Sequence, residues 1–473
     1  MPVDFSRLNI PLTPLDGRYR PAVARLANHL SEAALNRNRL VVEIEWLIHL
    51  TEVGALPGAP QLSEAEIEYL RAIPEGFGEQ EIAELAEIEQ ETRHDVKAVE
   101  YFLKRRLDAA PGYIDVTVLP QVHEIVHIFC TSEDINNLAY ALCVRGALHE
   151  VWLPAAGDLI LAIEEMARAN GSVAMLSRTH GQPASPTTLG KELAVVARRL
   201  NRQFGRLNQT EILGKLNGAT GTYGAHVVSV PSTDWEEASR TFVEGLGLTW
   251  NPLTTQIEPH DWMADLFADM AHFNRILIGF AVDVWTYISL GYFAQNLAAQ
   301  GSTGSSTMPH KVNPIRFENA EANLEISCAL LDALGSSLVV SRMQRDLTDS
   351  SSQRNIGPAF GHSLLALDNL VRGLAGLDVD AGALARDLDG NWEVLGEAIQ
   401  SAMRAASVAG AEGLENPYER LKELTRGQRV GGPELREFVL SLGLPEEVEA
   451  RLAEMTPGDY VGLAPALLRH MDV

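Results

Sequence analysis

Long stretches of this chain repeat apolar residues at intervals of three and four positions. From residue 261 to about 300 there is no proline, and apolar residues recur at helical spacing from Met263 to Leu277. Between residues 278 and 284 they cover nearly every side. A helix that is apolar all round is buried in a bundle or between subunits. The pattern therefore predicts a long central helix of roughly 55–60 Å.

Three further segments show the same helical pattern, over residues 138–167, 189–213 and 315–341. Period-two alternation, which is typical of a half-buried strand, is almost absent. These patterns predict an all-α fold in three parts. We expect an N-terminal helical domain over residues 1–118, an elongated central long-helix bundle over 119–373 and a C-terminal helical domain over 374–473.

Composition and charge narrow the classes of function. The chain has 473 residues and a formal net charge of −25 at pH 7, which argues against nucleic acid as a partner. An anionic ligand must therefore be held by a local group of basic side chains. Three cysteines without metal-like spacing predict no disulfide framework and suit a reducing compartment.

Targeting and membrane signals are weak. The first residues lack the basic start and apolar core of a signal peptide. The longest apolar region, near residue 280, is interrupted by Asp283 well before it could cross a bilayer. We therefore expect a cytoplasmic protein without a membrane partner.

One short motif suggests a metal site. HEIVH, residues 123–127, fits H-E-x-x-H, which on a helix places two imidazoles one turn apart with a glutamate as base, as in zinc proteases. No third ligand follows at a plausible spacing, and the segment runs directly into the apolar residues IFC. We therefore expect no metal, and zinc hydrolysis is the rival hypothesis.

Polar, loop-prone segments interrupt the helical patterns, and function is expected there. The clearest is GSTGSSTMPHKVNP, residues 301–314, in which seven Gly, Ser and Thr residues adjoin a stiff segment with two prolines. A linker needs only the flexible half. The combination instead suits a loop that moves against a fixed anchor.

The segment GSSTMPHKVNP, residues 304–314, resembles the fingerprint of the fumarase/aspartase superfamily. Other segments resemble, in chain order, the adenylosuccinate lyase family in its longer bacterial form; they are DGRY, HDVKAVEYFLK, CTSEDINN, SRTHGQPASP, LGKLNGATGTY, TTQIEPHD, RDLTDSSSQRN, NWEVL and NPYERLKELTRG. The resemblance covers nearly the whole chain. It implies β-elimination of fumarate from adenylosuccinate, giving AMP, and from SAICAR, giving AICAR, in purine biosynthesis, without a cofactor.

The resemblance also implies catalytic roles. Ser305 is similar to the base, carried on a mobile loop that closes over the substrate. Lys311 and Asn313 match positions that stabilise the carbanion as its charge spreads onto the adjacent carboxylate. His180 resembles the general acid that protonates the leaving nitrogen, and Glu318 matches the carboxylate that orients it.

Further residues follow from the same resemblance. His94 is similar to a second, auxiliary histidine of the active site. The implied substrate-binding residues are Arg18, Tyr19, Asp95, Thr131, Ser132, Thr179, Gln256, Arg345, Ser350 and Arg354. The family forms homotetramers in which each site is shared between subunits. Ser302 and Thr303 depart from the acidic and aliphatic pair common in the family; both are small and polar, so we expect activity to survive.

Two alternatives stay open. Another fumarate-releasing lyase, such as argininosuccinate lyase, shares the loop motif but is not expected to carry TTQIEPHD and RDLTDSSSQRN. A non-catalytic structural relative is also conceivable, because lens crystallins use this fold as bulk protein. The joint presence of Ser305, Lys311, Asn313, His180 and Glu318 argues against that alternative.

Overall fold

The computed structural model describes residues 10–296, 308, 311–425 and 430–471. It is 66% helix and 5% strand, so the predicted all-α class is confirmed. Longer helices of the first half are Glu32–Glu52, Glu64–Glu75, Glu79–Thr92, Asp95–Ala109, Ser132–Gly146, Leu153–Ala169, Leu189–Asn208 and Trp235–Gly245. Those of the second half are Asp261–Ser289, Ile315–Leu338, Ile356–Leu374, Ala381–Asp389, Gly396–Val408, Pro417–Thr425, Gly432–Leu440 and Glu446–Glu454.

The chain divides into two compact units. The first comprises Met1–Ala156, Gln203–Arg275 and Ala322–Ala366, and the second comprises Gly157–Arg202, Ile276–Glu321 and Leu367–Val473. Each unit is therefore built from three separate segments. The division into three domains that the sequence suggests stays a prediction.

Within the first unit, the N-terminal helices enclose one apolar cluster that extends from Leu40 to Val126. A second feature is a buried polar network. Asn274 Nδ2 donates to Ser327 Oγ at 3.1 Å, and Ser363 Oγ donates to Asn274 Oδ1 at 2.8 Å. Trp152 Nε1 donates to Ser363 Oγ at 2.9 Å. Because these groups have no contact with water, their pairing fixes how the helices align.

The longest predicted helix ends earlier than the sequence pattern suggests. The predicted rod over residues 261–300 is the helix Asp261–Ser289, which is roughly 43 Å long. Gly291 follows with a φ of +76°, a conformation that ends helices, and a strand begins at Phe293. Apolar periodicity alone therefore overestimated the length, because it does not register this glycine stop.

Short strands are present where none was predicted. The strands β1 (Ala174–Thr179) and β2 (Gln182–Thr188) form an antiparallel hairpin with an irregular register after Met175. The strands β3 (Leu213–Gly214) and β4 (Thr249–Trp250) pair in parallel. The strands β5 (Phe293–Gln295) and β6 (Leu377–Val379) pair in antiparallel fashion. The hairpin lies in the segment SRTHGQPASP, so it carries His180.

One helical segment, Ser132–Ala169, is long and apolar enough to cross a membrane by length and composition. It contains a single π-helical stretch, Ala147–Trp152. Of its most apolar window, 56% is buried inside the protein. Core helices pass the same test, so the segment is weak support for a membrane span.

Candidate active site

A chain of hydrogen bonds in the first unit joins several of the predicted residues. Asp95 Oδ2 accepts a hydrogen bond from Arg39 Nη2 at 2.7 Å. Arg39 Nε donates to Asn136 Oδ1 at 2.9 Å, and Asn136 Nδ2 donates to Glu133 Oε1 at 2.9 Å. The same glutamate oxygen lies 2.8 Å from Nη2 of Arg345. Two predicted residues, Asp95 and Arg345, are thus connected through three others.

This network continues beyond both ends. Arg345 Nη1 donates to Gln256 Oε1 at 3.4 Å, and Gln256 Nε2 donates to the carbonyl oxygen of Ala219 at 3.0 Å. At the other end, Arg354 Nη2 lies 3.5 Å from Asp95 Oδ2. The structure therefore brings Asp95, Gln256, Arg345 and Arg354 together.

Burial and neighbouring charges shift the two acids of the network in opposite directions. Burial raises the pKa of Asp95, but the charge of Arg39 and hydrogen bonds from Val96 N–H and Arg39 outweigh it, so the pKa lies below the ordinary value. Burial raises the pKa of Glu133, and the charge of Arg345 only partly opposes this effect. Asp95 is thus held as an anion, while Glu133 takes up a proton more readily than an exposed glutamate does.

Thr131 and Ser132 lie at the start of the helix Ser132–Gly146. The backbone N–H of Thr131 donates to Asp134 Oδ2 at 2.9 Å. Asp134 also pairs with Lys215 at 2.8 Å, and neither side chain has any exposed area. The backbone N–H of Asn217 donates to the same carboxylate at 3.0 Å. The loop after β3 and the start of this helix are therefore held against each other around one buried charge pair.

His94 precedes the helix Asp95–Ala109 and caps it. Its Nδ1 accepts a hydrogen bond from the backbone N–H of Lys97 at 3.1 Å, while its side chain is 51% exposed. An accepting Nδ1 carries no proton, so the neutral ring has its proton on Nε2. The exposed side of His94 therefore presents a donor.

Arg345, Ser350 and Arg354 do not share one helical face. Only Thr348–Gln353 is helical, with Arg345 before it and Arg354 as its C-cap. Within the helix, the backbone N–H of Ser350 donates to Asp349 Oδ1 at 2.6 Å. The segment around Gln256 is irregular up to the helix start at Asp261.

Arg18 and Tyr19 lie in a turn near the start of the described chain. The Arg18 side chain is exposed and Tyr19 is half-buried. The guanidinium carbon of Arg18 is 6.0 Å from the centre of the Tyr19 ring, which is at the edge of cation–π range.

In the second unit, the hairpin presents His180 at its tip. Thr179 pairs with Gln182 across the hairpin, and the two turn residues, His180 and Gly181, have φ values of +55° and +75°. Two-residue hairpin turns of this kind need positive φ at both positions. His180 is exposed, so its ring is accessible to a ligand.

Lys311, Asn313 and Glu318 surround the start of the helix Ile315–Leu338. Glu318 lies in its first turn, and its Oε1 accepts a hydrogen bond from Trp285 Nε1 at 3.2 Å. Lys311 is exposed and Asn313 half-buried. Gln295 Nε2 donates to the carbonyl oxygen of Val312 at 2.9 Å, which anchors this segment to β5.

The predicted base, Ser305, lies outside the described residues, as do Ser302 and Thr303. Its assignment therefore stays a prediction from the resemblance.

The H-E-x-x-H motif does not have the geometry of a zinc site. His123, Glu124 and Ile125 form a 3₁₀ turn, and His127 has a φ of +62°, so the two histidines are not one α-helical turn apart. His123 Nδ1 lies 3.1 Å from Asp108, and His127 Nδ1 lies 2.6 Å from Glu43. Across the described residues, no group of three His, Cys, Asp or Glu side chains is placed to hold a metal ion.

Sequence reasoning missed Arg39, Asn136 and Glu32. Arg39 is 2% exposed and lies on the buried stripe of its helix with Leu35, Val42 and Trp46. An arginine on an apolar stripe needs a buried partner, so that position was the available signal. Glu32, which accepts a hydrogen bond from Arg354, is exposed and gives no such signal.

Comparisons with known proteins cover nearly the whole chain. The family model described as Lyase matches residues 17–326, and the one described as Adenylosuccinate lyase C-terminal matches residues 341–461. The adenylosuccinate lyase of Escherichia coli (strain K12) is 49% identical over 453 residues, covering 96% of each chain. That of Vibrio cholerae is 47% identical over 454 residues, covering 96% of this chain and 97% of the relative.

Solved structures agree on the fold. A fumarate lyase from Mesorhizobium sp. BNC1 has a TM-score of 0.75 at 18% identity, covering 95% of this chain and 97% of its own. The 3-carboxy-cis,cis-muconate lactonizing enzyme from Pseudomonas putida has a TM-score of 0.70 at 20% identity, covering 95% and 96%. At these identities the likeness shows the fold alone. Together with the relatives of nearly equal length, the family models show that this chain belongs to the adenylosuccinate lyase family of the fumarase/aspartase superfamily.

Proposed function

We propose that this protein is a carbon–nitrogen lyase that eliminates fumarate from adenylosuccinate to give AMP, and from SAICAR to give AICAR. The observation that carries the proposal is the 49% identity to an adenylosuccinate lyase over 96% of both chains. The match to the family's C-terminal model, over residues 341–461, includes Arg345 and Arg354 of the hydrogen-bonded network. A general lyase fold would not account for that second match.

The reaction breaks two bonds on neighbouring carbons of the succinyl group. A base removes a proton from the carbon next to a carboxylate, and the electron pair left behind spreads onto that carboxylate. The carbon–nitrogen bond then breaks, and the nitrogen takes up a proton. We assign the base to Ser305 and the proton donor to His180, with Glu318 orienting the donor. An exposed histidine at a hairpin tip suits proton transfer near neutral pH.

The negative charge that develops on the substrate carboxylate must be stabilised in the transition state. We assign this role to Lys311 and Asn313, because a cation and an amide donor aimed at the developing charge lower the barrier. Lys311 is exposed, so its ammonium is available to a ligand.

The first unit supports binding of the nucleotide part. Arg345 and Arg354 are held by carboxylates at 2.8 Å and 3.5 Å, so their guanidinium groups are fixed before a ligand arrives. We propose that they bind the substrate phosphate with Arg18, Tyr19 and Ser350. Asp95, Thr131, Ser132, Thr179 and Gln256 are assigned to the remainder of the substrate.

We further propose a cytoplasmic homotetramer whose sites are shared between subunits. One observation supports a covered face on the long helix Asp261–Ser289. Val282 and Trp285 are 40% and 43% exposed in the single chain, although they are large apolar residues three positions apart. Apolar side chains that lie next to each other on an exposed helix face can be covered by a second subunit.

The test is the ultraviolet absorbance of purified protein mixed with adenylosuccinate in the presence of a chelator. Loss of the succinyl-adenine spectrum, with equal amounts of AMP and fumarate in the products, is the expected result. An unchanged spectrum, followed by activity on argininosuccinate, would assign the chain to another lyase of the superfamily. Inactivity on both compounds would leave the structural relative as the better description.

A further inference from the structure

The hairpin that presents His180 is anchored on one face of β1. Ala174, Leu176 and Arg178 alternate along this strand. Leu176 forms a small apolar cluster with Leu388 and Val394, against which Ala174 packs. Arg178 continues the same row toward the tip of the hairpin. The row therefore changes from apolar to charged just before the turn.

Arg178 binds two partners in the second unit at once. Its Nη1 donates to the hydroxyl oxygen of Tyr292 at 2.7 Å. Its Nη2 lies 2.8 Å from Oδ2 and 2.9 Å from Oδ1 of Asp387. The Tyr292 hydroxyl in turn donates to Asp387 Oδ2. The three side chains, which we call the Arg178 cluster, thus form a closed triangle of hydrogen bonds.

Both partners of Arg178 are held by the same piece of structure. Tyr292 is 2% exposed and immediately precedes β5, which pairs with β6. Its carbonyl oxygen accepts a hydrogen bond from the backbone N–H of Asp380 at 2.9 Å. Asp380 caps the helix Ala381–Asp389, which carries Asp387. The guanidinium group therefore binds three oxygen atoms, all of them on side chains that this structure holds in place.

Arg178 lies close enough to the turn at His180 and Gly181 for its contacts to fix the position of that turn. Arg178 lies two positions before His180, a distance of roughly 7 Å along an extended strand. The residues beyond Arg178 on the tip, from Thr179 to Pro183, are all exposed. Packing therefore cannot hold the tip, and the last strong contact on β1 before it is the Arg178 cluster.

We propose that Arg178, with Asp387 and Tyr292, positions the His180 turn for proton transfer to the leaving nitrogen. This inference rests on the proposed function, in which His180 is the proton donor. Arg178 is a positioning residue, because it acts through the hairpin and not on the substrate. Small displacements of a reacting group cost about 100-fold in rate.

The first test compares the variant Arg178→Gln with Arg386→Gln. Arg386 lies on the same helix as Asp387 and pairs with Asp380 at 3.8 Å, so it undergoes the same chemical change without touching the hairpin. We expect Arg178→Gln to lower kcat roughly 10- to 100-fold with KM within about 3-fold of wild type. The kcat of Arg178→Lys should lie between that of wild type and that of Arg178→Gln, because lysine keeps the positive charge but lacks the two-pronged guanidinium group. A loss confined to KM, or an equal loss in Arg386→Gln, would overturn the proposal.

The second test combines Arg178→Gln with His180→Ala. If Arg178 acts only through His180, the double variant has the kcat of His180→Ala within about 2-fold. A further loss in the double variant, as large as the loss that Arg178→Gln causes alone, would show a general structural role and contradict the inference.

The third test does not depend on the reaction. Hydrogen exchange of the amides between residues 177 and 183 should be faster in Arg178→Gln and unchanged in Arg386→Gln. Unchanged exchange in both variants would refute the cluster as an anchor. If wild-type protein releases no fumarate, the proposed function is wrong, and if His180→Ala keeps full activity, the role of His180 is wrong. In either case the exchange rates still show whether the Arg178 cluster holds the hairpin.

Discussion

At the scale of single residues, Asp95 shows how one partner fixes the charge of a predicted site residue. Its carboxylate is paired with Arg39 at 2.7 Å, and its pKa lies below the ordinary value of 3.8 although burial opposes this shift. A depressed pKa in the folded protein means that the ionised form contributes to stability. The contribution is present above the pKa of the unfolded chain and is lost as pH falls through the lower folded value.

We therefore expect Asp95→Asn to lower the free energy of unfolding at pH 7 by about 1–3 kcal/mol. The difference from wild type should shrink as the pH falls below about 4, since protonated aspartate then resembles asparagine. Chemical unfolding across this pH range measures it. The control is Asp332→Asn, which removes a pair with Arg275 whose side chains are 52% and 51% exposed, and which should have little effect. A difference that stays constant with pH would contradict the prediction.

His226 adds a second contribution to stability that is also lost as the pH falls, but over a higher pH range than that of Asp95. It has no exposed area and packs between the rings of Phe129, Tyr223 and Trp235 at 4.9 to 5.3 Å. Burial lowers its pKa to about 4. The folded protein therefore favours the neutral ring, and stability is fully present above the unfolded value near 6.5 and declines as pH falls toward 4.

The variant His226→Leu should lose that pH dependence. Wild type is expected to lose about 2 kcal/mol of stability at this site between pH 7.5 and 5, and the variant none of that amount. The two proteins are compared by the slope of the unfolding midpoint against pH. The midpoint itself is not a fair comparison, because His226→Leu also loses the ring contacts and is therefore changed in stability at every pH. Equal slopes in the two proteins would show that His226 does not titrate as expected.

The residue-scale outcome also shows what a sequence can and cannot predict. Motif resemblance pointed to Asp95, Gln256, Arg345 and Arg354, which the structure joins in one network. It did not point to Arg39, because the family pattern does not indicate which basic side chain pairs with the carboxylate of Asp95. Such pairing depends on side chains that are distant in sequence and meet only in the fold.

At the scale of elements, glycines decide where helices cross. Gly190 lies at the start of the helix Leu189–Asn208, directly after the hairpin. A Cβ atom there would lie 2.3 Å from the carbonyl oxygen of Ala167 and 2.6 Å from the Cα of Gly171. Backbone atoms cannot move aside as a side chain end can, so only glycine allows this approach.

We expect Gly190→Ala to destabilise the protein by about 1–3 kcal/mol. Gly205 is the control, because it lies in the same helix and nothing is within 4 Å of its added Cβ. Gly205→Ala should be neutral or stabilise by about 0.5–1 kcal/mol, since alanine favours helix. Thermal unfolding of both variants checks the pair. Equal shifts of both variants would refute the argument from close approach.

The sequence predicted the long helices but not the hairpin of β1 and β2, and the difference has a physical reason. Apolar periodicity over many residues predicted the long helices, since each turn repeats the signal. The hairpin was missed because its strands are short, contain two prolines and leave the tip exposed, so no alternation of apolar residues is seen. The turn itself was visible only as the dipeptide His180-Gly181.

At the scale of the whole molecule, the proposal of shared sites makes a prediction about mixtures of variants. His180→Ala and Ser305→Ala are each expected to lower kcat by several orders of magnitude without changing the assembly. If a site takes these two residues from different subunits, mixed assemblies contain some sites with both intact. Mixing the variants after partial dissociation should then restore measurable activity.

Two controls make the mixing experiment decisive. Each variant treated alone should stay inactive, and differently tagged subunits should be recovered in one assembly. Absence of activity despite demonstrated mixing of subunits would contradict shared sites. Activity close to wild type in either single variant would instead contradict the role of that residue.

The division into interleaved segments sets an order of assembly during synthesis on the ribosome. The apolar cluster from Leu40 to Val126 belongs to one continuous stretch, so it can close early. The buried carboxylate of Asp134 can be paired only after Lys215 has been synthesised. The side-chain oxygen of Asn274 can likewise be paired with Ser363 only after that later residue has been synthesised. Because contacts between distant residues form slowly, a nascent chain exposes much of its long helices until most of it has been made. We therefore expect this chain to need chaperones during translation, because many of its buried contacts join residues that are far apart in the sequence.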